Sequence, residues 1–510
     1  MKTSRWLWVL VVSAVAQWTA CVWPGEFEEV EAECDETAGS FDVPTRDRFC
    51  SGRVETRLVH RFDSLEFVPG ARPMVDIQGE FITWMDVPPQ GREAMVYFLR
   101  SEDGLSFELL DAQLLSLPFE GPTTSFVVMG LEPDQHDLNN TTVSVSSSTE
   151  LYFLPLSLRS PGVPVGELIP PVDYLTEETE AAFEEMQEGL PEAERCYTNR
   201  DTRERYQLSA VSAFDSQTIA RRRYLMVAAG CAMSIFGYDP ELSADGEPLL
   251  MLQYPLQARD IDIDRAQDRF YLASGTDGLL VRTLSRLEAE LDQQLSFATD
   301  ESSPVGCAEG GDCGGGDNNN DGNGDPIPPR EPGAFTPEVG DVGDDIAALA
   351  ATNVAHVTFT RDRRIFYINT PRPEDIPASP TPSDATEEDL TSYLVSVTLD
   401  ANGVVEERFS VPLASPDPET GEVPRIAWDL VGLQDSLVAV LANFLDEDGD
   451  IERSVVVVYD APRGKVPVDI RRLPMASKVF DISAQDGQLW ATQADGIIGF
   501  LIEVKGQPLP

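Results

Sequence analysis

Two stretches far apart in the chain carry the same phrase. Asp262 to Val281 reads Asp-Ile-Asp-Arg-Ala-Gln-Asp-Arg-Phe-Tyr-Leu-Ala-Ser-Gly-Thr-Asp-Gly-Leu-Leu-Val. It predicts a short strand, a polar turn, a second strand, an Asp-Gly turn and a third strand. Near the end the phrase returns as Asp481-Ile482-Ser483, Gln485-Asp486-Gly487, Leu489-Trp490-Ala491 and Asp495-Gly496-Ile497-Ile498. A single small sheet of this kind cannot cover both of its faces, so it must stack on copies of itself. The class this predicts is all-β, and within it a β-propeller.

Further strand groups support that reading. Met74-Val75-Asp76-Ile77, Phe81-Ile82-Thr83-Trp84 and Met95-Val96-Tyr97-Phe98-Leu99 form one unit, and 124–168 repeats the plan. Strong runs follow at Tyr224–Ala228, Met233–Tyr238, Ile365–Ile368, Tyr393–Val397, Ser436–Leu441 and Ser454–Tyr459. Residues 53–68 alternate in a way that suits an outer strand. The count comes to about seven four-stranded blades across residues 53–505. Thr176 to Gly189 has helical spacing, with Leu175, Ala182, Phe183 and Met186 as its apolar stripe, and reads as one inserted helix. Leu284, Leu287, Leu291 and Leu295 are also spaced for a helix, but an outer strand pair fits the same residues, and periodicity leaves both open. Residues 300–344 are of low complexity, with Gly310-Gly311, Gly314-Gly315-Gly316 and a Pro-rich exit. That composition predicts a long disordered loop inside the propeller, because strand groups resume after it.

The phrases Tyr224-Leu225-Met226-Val227-Ala228-Ala229-Gly230 and Phe270–Val281 resemble the LVIVD-type and YVTN-type repeats of bacterial exported β-propellers. The resemblance implies blades of four antiparallel strands around a central channel. It implies no activity, since such folds host many unrelated tasks.

The N-terminus reads as an export signal over residues 1–20, with Lys2 and Arg5 charged and Trp6 to Ala16 apolar but too short for a stable membrane anchor. Ala14-Val15-Ala16 fits an ordinary signal-peptidase site. Trp18-Thr19-Ala20-Cys21 resembles a bacterial lipobox, with Trp18 where that motif carries an aliphatic residue, and implies lipidation of Cys21. The chain has seven cysteines. With Cys21 lipidated, six remain for bridges in an oxidising compartment. Proximity favours Cys34–Cys50, Cys196–Cys231 and Cys307–Cys313, with other pairings open. The expected location is the cell envelope, with secretion as the alternative. Residues 21–52, rich in Glu, read as an acidic tether.

Charge excludes one class of partner. With 88 acids against 37 bases the formal net charge is −51, which repels nucleic acid. Catalytic signatures are absent from the sequence. It has no Gly-x-Ser-x-Gly, no His-Glu-x-x-His and no phosphate-cradling glycine loop before a helix. The three histidines, His60, His136 and His356, stand apart in sequence. Arg221-Arg222-Arg223 and Arg361, Arg363 and Arg364 read as strand-flanking residues that pair with nearby acids.

One metal candidate emerges. Asp317, Asn319, Asp321, Asn323 and Asp325 place oxygen side chains at alternate positions, with Gly322 at the sixth, as in the first half of an EF-hand loop. The spacing resembles dockerin and thrombospondin type-3 calcium loops, but Pro328 stands where the bidentate Glu belongs. Asp446-Glu447-Asp448-Gly449-Asp450 reads as a charged hairpin tip. These features together predict a non-catalytic, lipid-anchored scaffold that needs no cofactor and binds an envelope protein. The alternatives are a metal-dependent propeller hydrolase or lactonase, and a calcium-stabilised surface adhesion protein.

Overall fold

A computed structural model describes residues 54–63, 73–78, 81–86, 93–100, 107–116, 125–129, 141–146, 151–156, 209–219, 222–228, 233–238, 249–254, 256–275, 277–299, 338–339, 347–349, 353–371, 386–400, 404–417, 420–473, 475, 477–494 and 496–504. All seven cysteines, the loop carrying Asp317 to Asp325, and the helix expected over 176–189 lie outside the described residues.

The described strands form seven sheets, numbered here by the chain order of their innermost strands. Those strands are Met74–Gln78, Ser125–Met129, Ala210–Asp215, Asp260–Asp264, Val354–Phe359, Ile426–Gln434 and Val479–Gln485. Each packs beside the next, and the last packs beside the first, so they line one axis as a closed ring. From each, antiparallel neighbours step outward, with one parallel strand, Glu338–Val339, added at the outer edge of the third sheet. In the sixth sheet they are Leu437–Leu445, Ile451–Asp460 and Val468–Leu473. The fold is therefore an all-β propeller. The expected blade number needs correction. Six sheets have four or more strands, whereas the second has three described ones. Residues 157–208, which follow its third strand, are outside the described set.

The repeated phrase folds as read. Asp260–Asp264, Arg269–Ala273 and Leu279–Thr283 pair in succession. In the seventh sheet Asp486 and Gly487 have φ of 52° and 82°, the two positive values that a two-residue type I′ hairpin requires. The ring is closed by a strand from the other end of the chain. Val54–Asp63 pairs antiparallel with Gly496–Val504 and becomes the outer strand of the seventh sheet.

Because sheets stack on both sides, their middle strands are apolar throughout. Leu437 to Ala442 are at most 1% exposed. The core is divided into layers between consecutive sheets. Leu441, Val456, Ile498 and Phe500 join the sixth to the seventh, while Trp84, Tyr97, Trp490 and Ile497 join the seventh to the first. Trp84 stacks on Tyr97 at 4.2 Å, and Phe107 meets Trp490 edge-on at 4.9 Å. Gly499 lies opposite Trp490 and makes room for it, since a Cβ there would sit 2.8 Å from the indole.

The open question at residues 284–299 resolves as a helix, α1 (Leu284–Thr299). Its four leucines are at most 2% exposed and fill the layer beside the third and fourth sheets. Asp268 caps it from outside: its carboxylate accepts the Ser285 N–H at 2.6 Å. The low-complexity segment begins just after α1. Within 300–344, read from sequence as a disordered loop, the strand Glu338–Val339 instead pairs parallel with Leu252 and Gln253 at the edge of the third sheet, and Ala347–Leu349 then pairs with Leu279–Thr283 to complete the fourth.

Candidate functional site

The innermost strand of a blade has a partner on one edge only. Its other edge presents backbone N–H groups to the axis, where they need acceptors. The sequence supplies them. Three inner strands carry Asp before an aliphatic residue at one level, Asp260-Ile261, Asp429-Leu430 and Asp481-Ile482, while Asp76 of the first sheet lies two residues further along, level with Asp262. The fifth sheet has His356-Val357 at the same place as Asp260-Ile261.

These carboxylates bond in two directions, and Asp260 in both at once. One oxygen accepts the N–H of the next residue: Ile261 to Asp260 at 2.9 Å and Leu430 to Asp429 at 2.7 Å. The reach across to the following blade is the informative part. Asp260 Oδ2 accepts the Val357 N–H at 2.9 Å, joining the fourth and fifth sheets. Asp481 Oδ2 accepts the Val75 N–H at 2.8 Å, joining the seventh to the first. Asp429 stands beside the Ile482 N–H, which favours its ionised form, at the seam between the sixth and seventh sheets. Asp262 adds a second layer. Its Oδ2 accepts the Thr358 hydroxyl at 2.8 Å, and Thr358 Oγ1 accepts the Gly432 N–H at 3.0 Å, so three consecutive blades share one chain of bonds. Gly432 permits that approach, because a Cβ would lie 2.0 Å from the Phe359 carbonyl oxygen.

These side chains line a cavity of about 610 Å³ at the axis. His356 stands in its wall, with Nδ1 3.5 Å from Asp260 Oδ2. Burial raises the proton affinity of Asp262, bringing its pKa to about 7, and the charges of Asp260 and Asp264 add to this. Asp481 is pushed well up by burial and by the Asp429 charge. Asp429 is raised by burial and by Asp260, against the pull of His356. For His356 burial acts downward, but the carboxylates of Asp260 and Asp429 outweigh it and its pKa rises.

The arrangement corrects the alignment of the two phrases. Asp262 and Asp481 start the matching words, yet Asp481 corresponds to Asp260. Asp260 and Asp481 each take the N–H of a valine on the next blade. Asp262 instead lies opposite Tyr271, as Ser483 lies opposite Trp490. The cause is hairpin length. The fourth sheet turns over four residues, Arg265 to Asp268, while the seventh turns over Asp486-Gly487, which shifts the frame by two.

Four of the six arginines singled out in the sequence meet acidic residues as expected, and Arg221 lies outside the described residues. Arg222 Nη1 donates to the Asp292 carbonyl at 2.7 Å, Arg223 meets Asp215 at 3.4 Å and Arg364 meets Asp362 at 3.2 Å. Arg361 pairs with Asp486 at the cavity rim. The tip at Asp446 to Asp450 is a hairpin turn, in which Asp446 Oδ1 accepts the N–H groups of Asp448 at 3.0 Å and Asp450 at 2.8 Å. His136 and the side chain of His60 lie outside the described residues. Among the described residues no three His, Cys, Asp or Glu side chains are placed to hold one metal ion. Also among them, no helix is long and apolar enough to cross a membrane.

No family model matches the sequence, and no curated protein matches it. Solved structures do. The chain is similar to a catalytically inactive virginiamycin B lyase from Staphylococcus aureus with quinupristin, at 8% identity over 88% of this chain and 99% of that one, with a TM-score of 0.40. It is also similar to BamB from Moraxella catarrhalis, at 11% identity over 86% of this chain and 84% of that one, with a TM-score of 0.34. Neither likeness bears on chemistry.

Proposed function

We propose that the chain is an exported, lipid-anchored propeller of the cell envelope that acts as a non-catalytic scaffold for an envelope protein. The observation that supports this most is how the axial carboxylates are used. Asp260 and Asp481 spend oxygens on backbone N–H groups of neighbouring blades and Asp429 stands beside the Ile482 N–H, so the most chemically equipped cluster among the described residues is committed to holding the ring. A ring so held presents a preformed surface, which lowers the ordering cost of docking a partner. The net charge of −51 suits a partner with a basic face and makes the encounter salt-sensitive. Lys2, Arg5 and Cys21 support the export and anchoring part of the reading.

The test is a cross-linking and fractionation experiment in a bacterium with lipoprotein processing. The full chain should sediment with membranes, incorporate labelled fatty acid and cross-link to a defined envelope protein in a salt-sensitive way. Cys21→Ser should abolish labelling and release the chain. A wild-type chain that is unlabelled and forms no cross-link contradicts the reading.

A further inference from the structure

The axial ring uses titratable groups as mechanical parts. Two carboxylates bridge two seams, Asp260 from the fourth to the fifth sheet and Asp481 from the seventh to the first, and a third, Asp429, stands beside the Ile482 N–H where the sixth sheet meets the seventh. All three are partly buried at the axis, and they face one another across a cavity of about 610 Å³. The charged and titratable groups around it can be named for every inner strand. The first sheet brings Asp76, and the fourth Arg259, Asp260 and Asp262. His356 and Arg361 come from the fifth, Asp429 from the sixth, and Asp481 and Asp486 from the seventh. The inner strands of the second and third sheets bring no cavity-lining charge: Ser125–Met129 contains none, and the third sheet lines the cavity with Ser209, Ala210 and Val211. Arg361 is matched by Asp486 at the rim. Among the described residues, that leaves Arg259 and His356 as the cations facing Asp76, Asp260, Asp262, Asp429 and Asp481.

Each clasp tolerates a proton. A neutral carboxyl keeps a carbonyl oxygen that accepts the same N–H and gains an O–H that can bond a neighbouring carboxylate. An ionised one keeps the N–H bond but adds repulsion from the other four carboxylates in a partly dry site. Protonation therefore leaves the bridge standing and removes the force that pushes the seams apart.

We propose that the axial carboxylates form a proton-operated clasp, which tightens the seams between neighbouring blades in mildly acidic surroundings and loosens them in alkaline ones. The inference concerns regulation of the fold and stands apart from the scaffold reading.

The direction of the effect follows from linkage. Asp262, Asp429 and Asp481 hold protons to higher pH when folded than when unfolded. So does His356, whose folded value lies above its ordinary one. From about pH 4, the ordinary carboxylate range, up to about 7 and through the His356 titration, the folded ring binds more protons than the unfolded chain. Stability therefore falls as pH rises through that window.

The test is thermal unfolding of the full chain at pH 5.5 and pH 8.0 in 0.5 M NaCl, which screens the general surface charge. Wild type should melt about 4 °C or more higher at pH 5.5. Asp429→Asn with Asp481→Asn keeps the acceptor oxygens and removes both charges. It should raise the pH 8.0 melting point and more than halve the difference. Glu447→Gln with Asp448→Asn, on the exposed hairpin tip, should leave the difference unchanged. A wild-type melting point that is level or higher at pH 8.0 overturns the proposal, as does a double variant that keeps the full difference. A readout on wild type alone covers the case in which the variant fails to fold. Hydrogen exchange in peptides spanning 73–78 and 354–359, corrected for the intrinsic pH dependence, should be slower at pH 5.5. Equal or faster corrected exchange also overturns the proposal.

Discussion

The sixth and seventh sheets meet in two places that work differently. Away from the axis, Leu441, Val456, Ile498 and Phe500 pack face to face, all below 3% exposed. At the axis the same sheets meet where Asp429 stands beside the Ile482 N–H, as Asp481 meets the Val75 N–H one seam further on. The outer contact is made of area. It is worth roughly 25 cal/mol per Å² buried, is indifferent to direction and does not titrate. The inner contact is made of points with directions, so it fixes which strand lies beside which and at what height. Stacking alone brings blades together, whereas the axial bonds give the ring its register and its sensitivity to protons.

That contrast can be broken from either side. The largest effect is expected at an apolar seam, the one between the seventh and first sheets. Trp490→Ala empties a site that is 1% exposed and should cost about 3–5 kcal/mol in urea unfolding, with the same loss at pH 5.5 and 8.0. A loss that varies with pH would mean that the two contacts are not separable. Gly432→Ala comes next. It drives a methyl group into the Phe359 carbonyl, so the inner strands of the fifth and sixth sheets must part, at about 3 kcal/mol. Retained stability would show that those strands are further apart than described here.

Thr358→Val keeps the shape and removes the hydroxyl shared by Asp262 and the Gly432 N–H. The expected cost is about 1–3 kcal/mol, smaller at low pH, where Asp262 is neutral and less dependent on a donor. The smallest effect is on a titration rather than on stability. Asp260→Asn removes a carboxylate 3.5 Å from His356, so the imidazole should titrate at lower pH, as followed by its ring proton resonances. An unchanged His356 titration would place the imidazole away from Asp260.

The sequence showed the two contacts unequally, and for a physical reason. Runs such as Leu437–Leu445 and Ser454–Tyr459 announce strands buried on both faces, and Asp486-Gly487 announces its turn, because these signals are local. Leu284 to Leu295 was ambiguous because a stripe of leucines says what is buried but not against what; the layer beside the third and fourth sheets decides for a helix. The axial ring was not legible. Asp481 and Val75 are 406 residues apart, and the acceptor is met by a backbone N–H that every residue but proline carries, so no side-chain pattern marks the partner. The one available signal was Asp before an aliphatic residue on successive inner strands. It was obscured by the two-residue difference in hairpin length between the fourth and seventh sheets.

The central claim, that axial carboxylates fasten neighbouring blades where they bridge a seam, is tested most directly by amide hydrogen exchange at Val75. In wild type this N–H is held by Asp481 across the seam between the seventh and first sheets. Asp481→Ala should deprotect the peptide containing Val75 while leaving the strand Leu437–Leu445 as slow as before. Unchanged protection at Val75 would contradict the account.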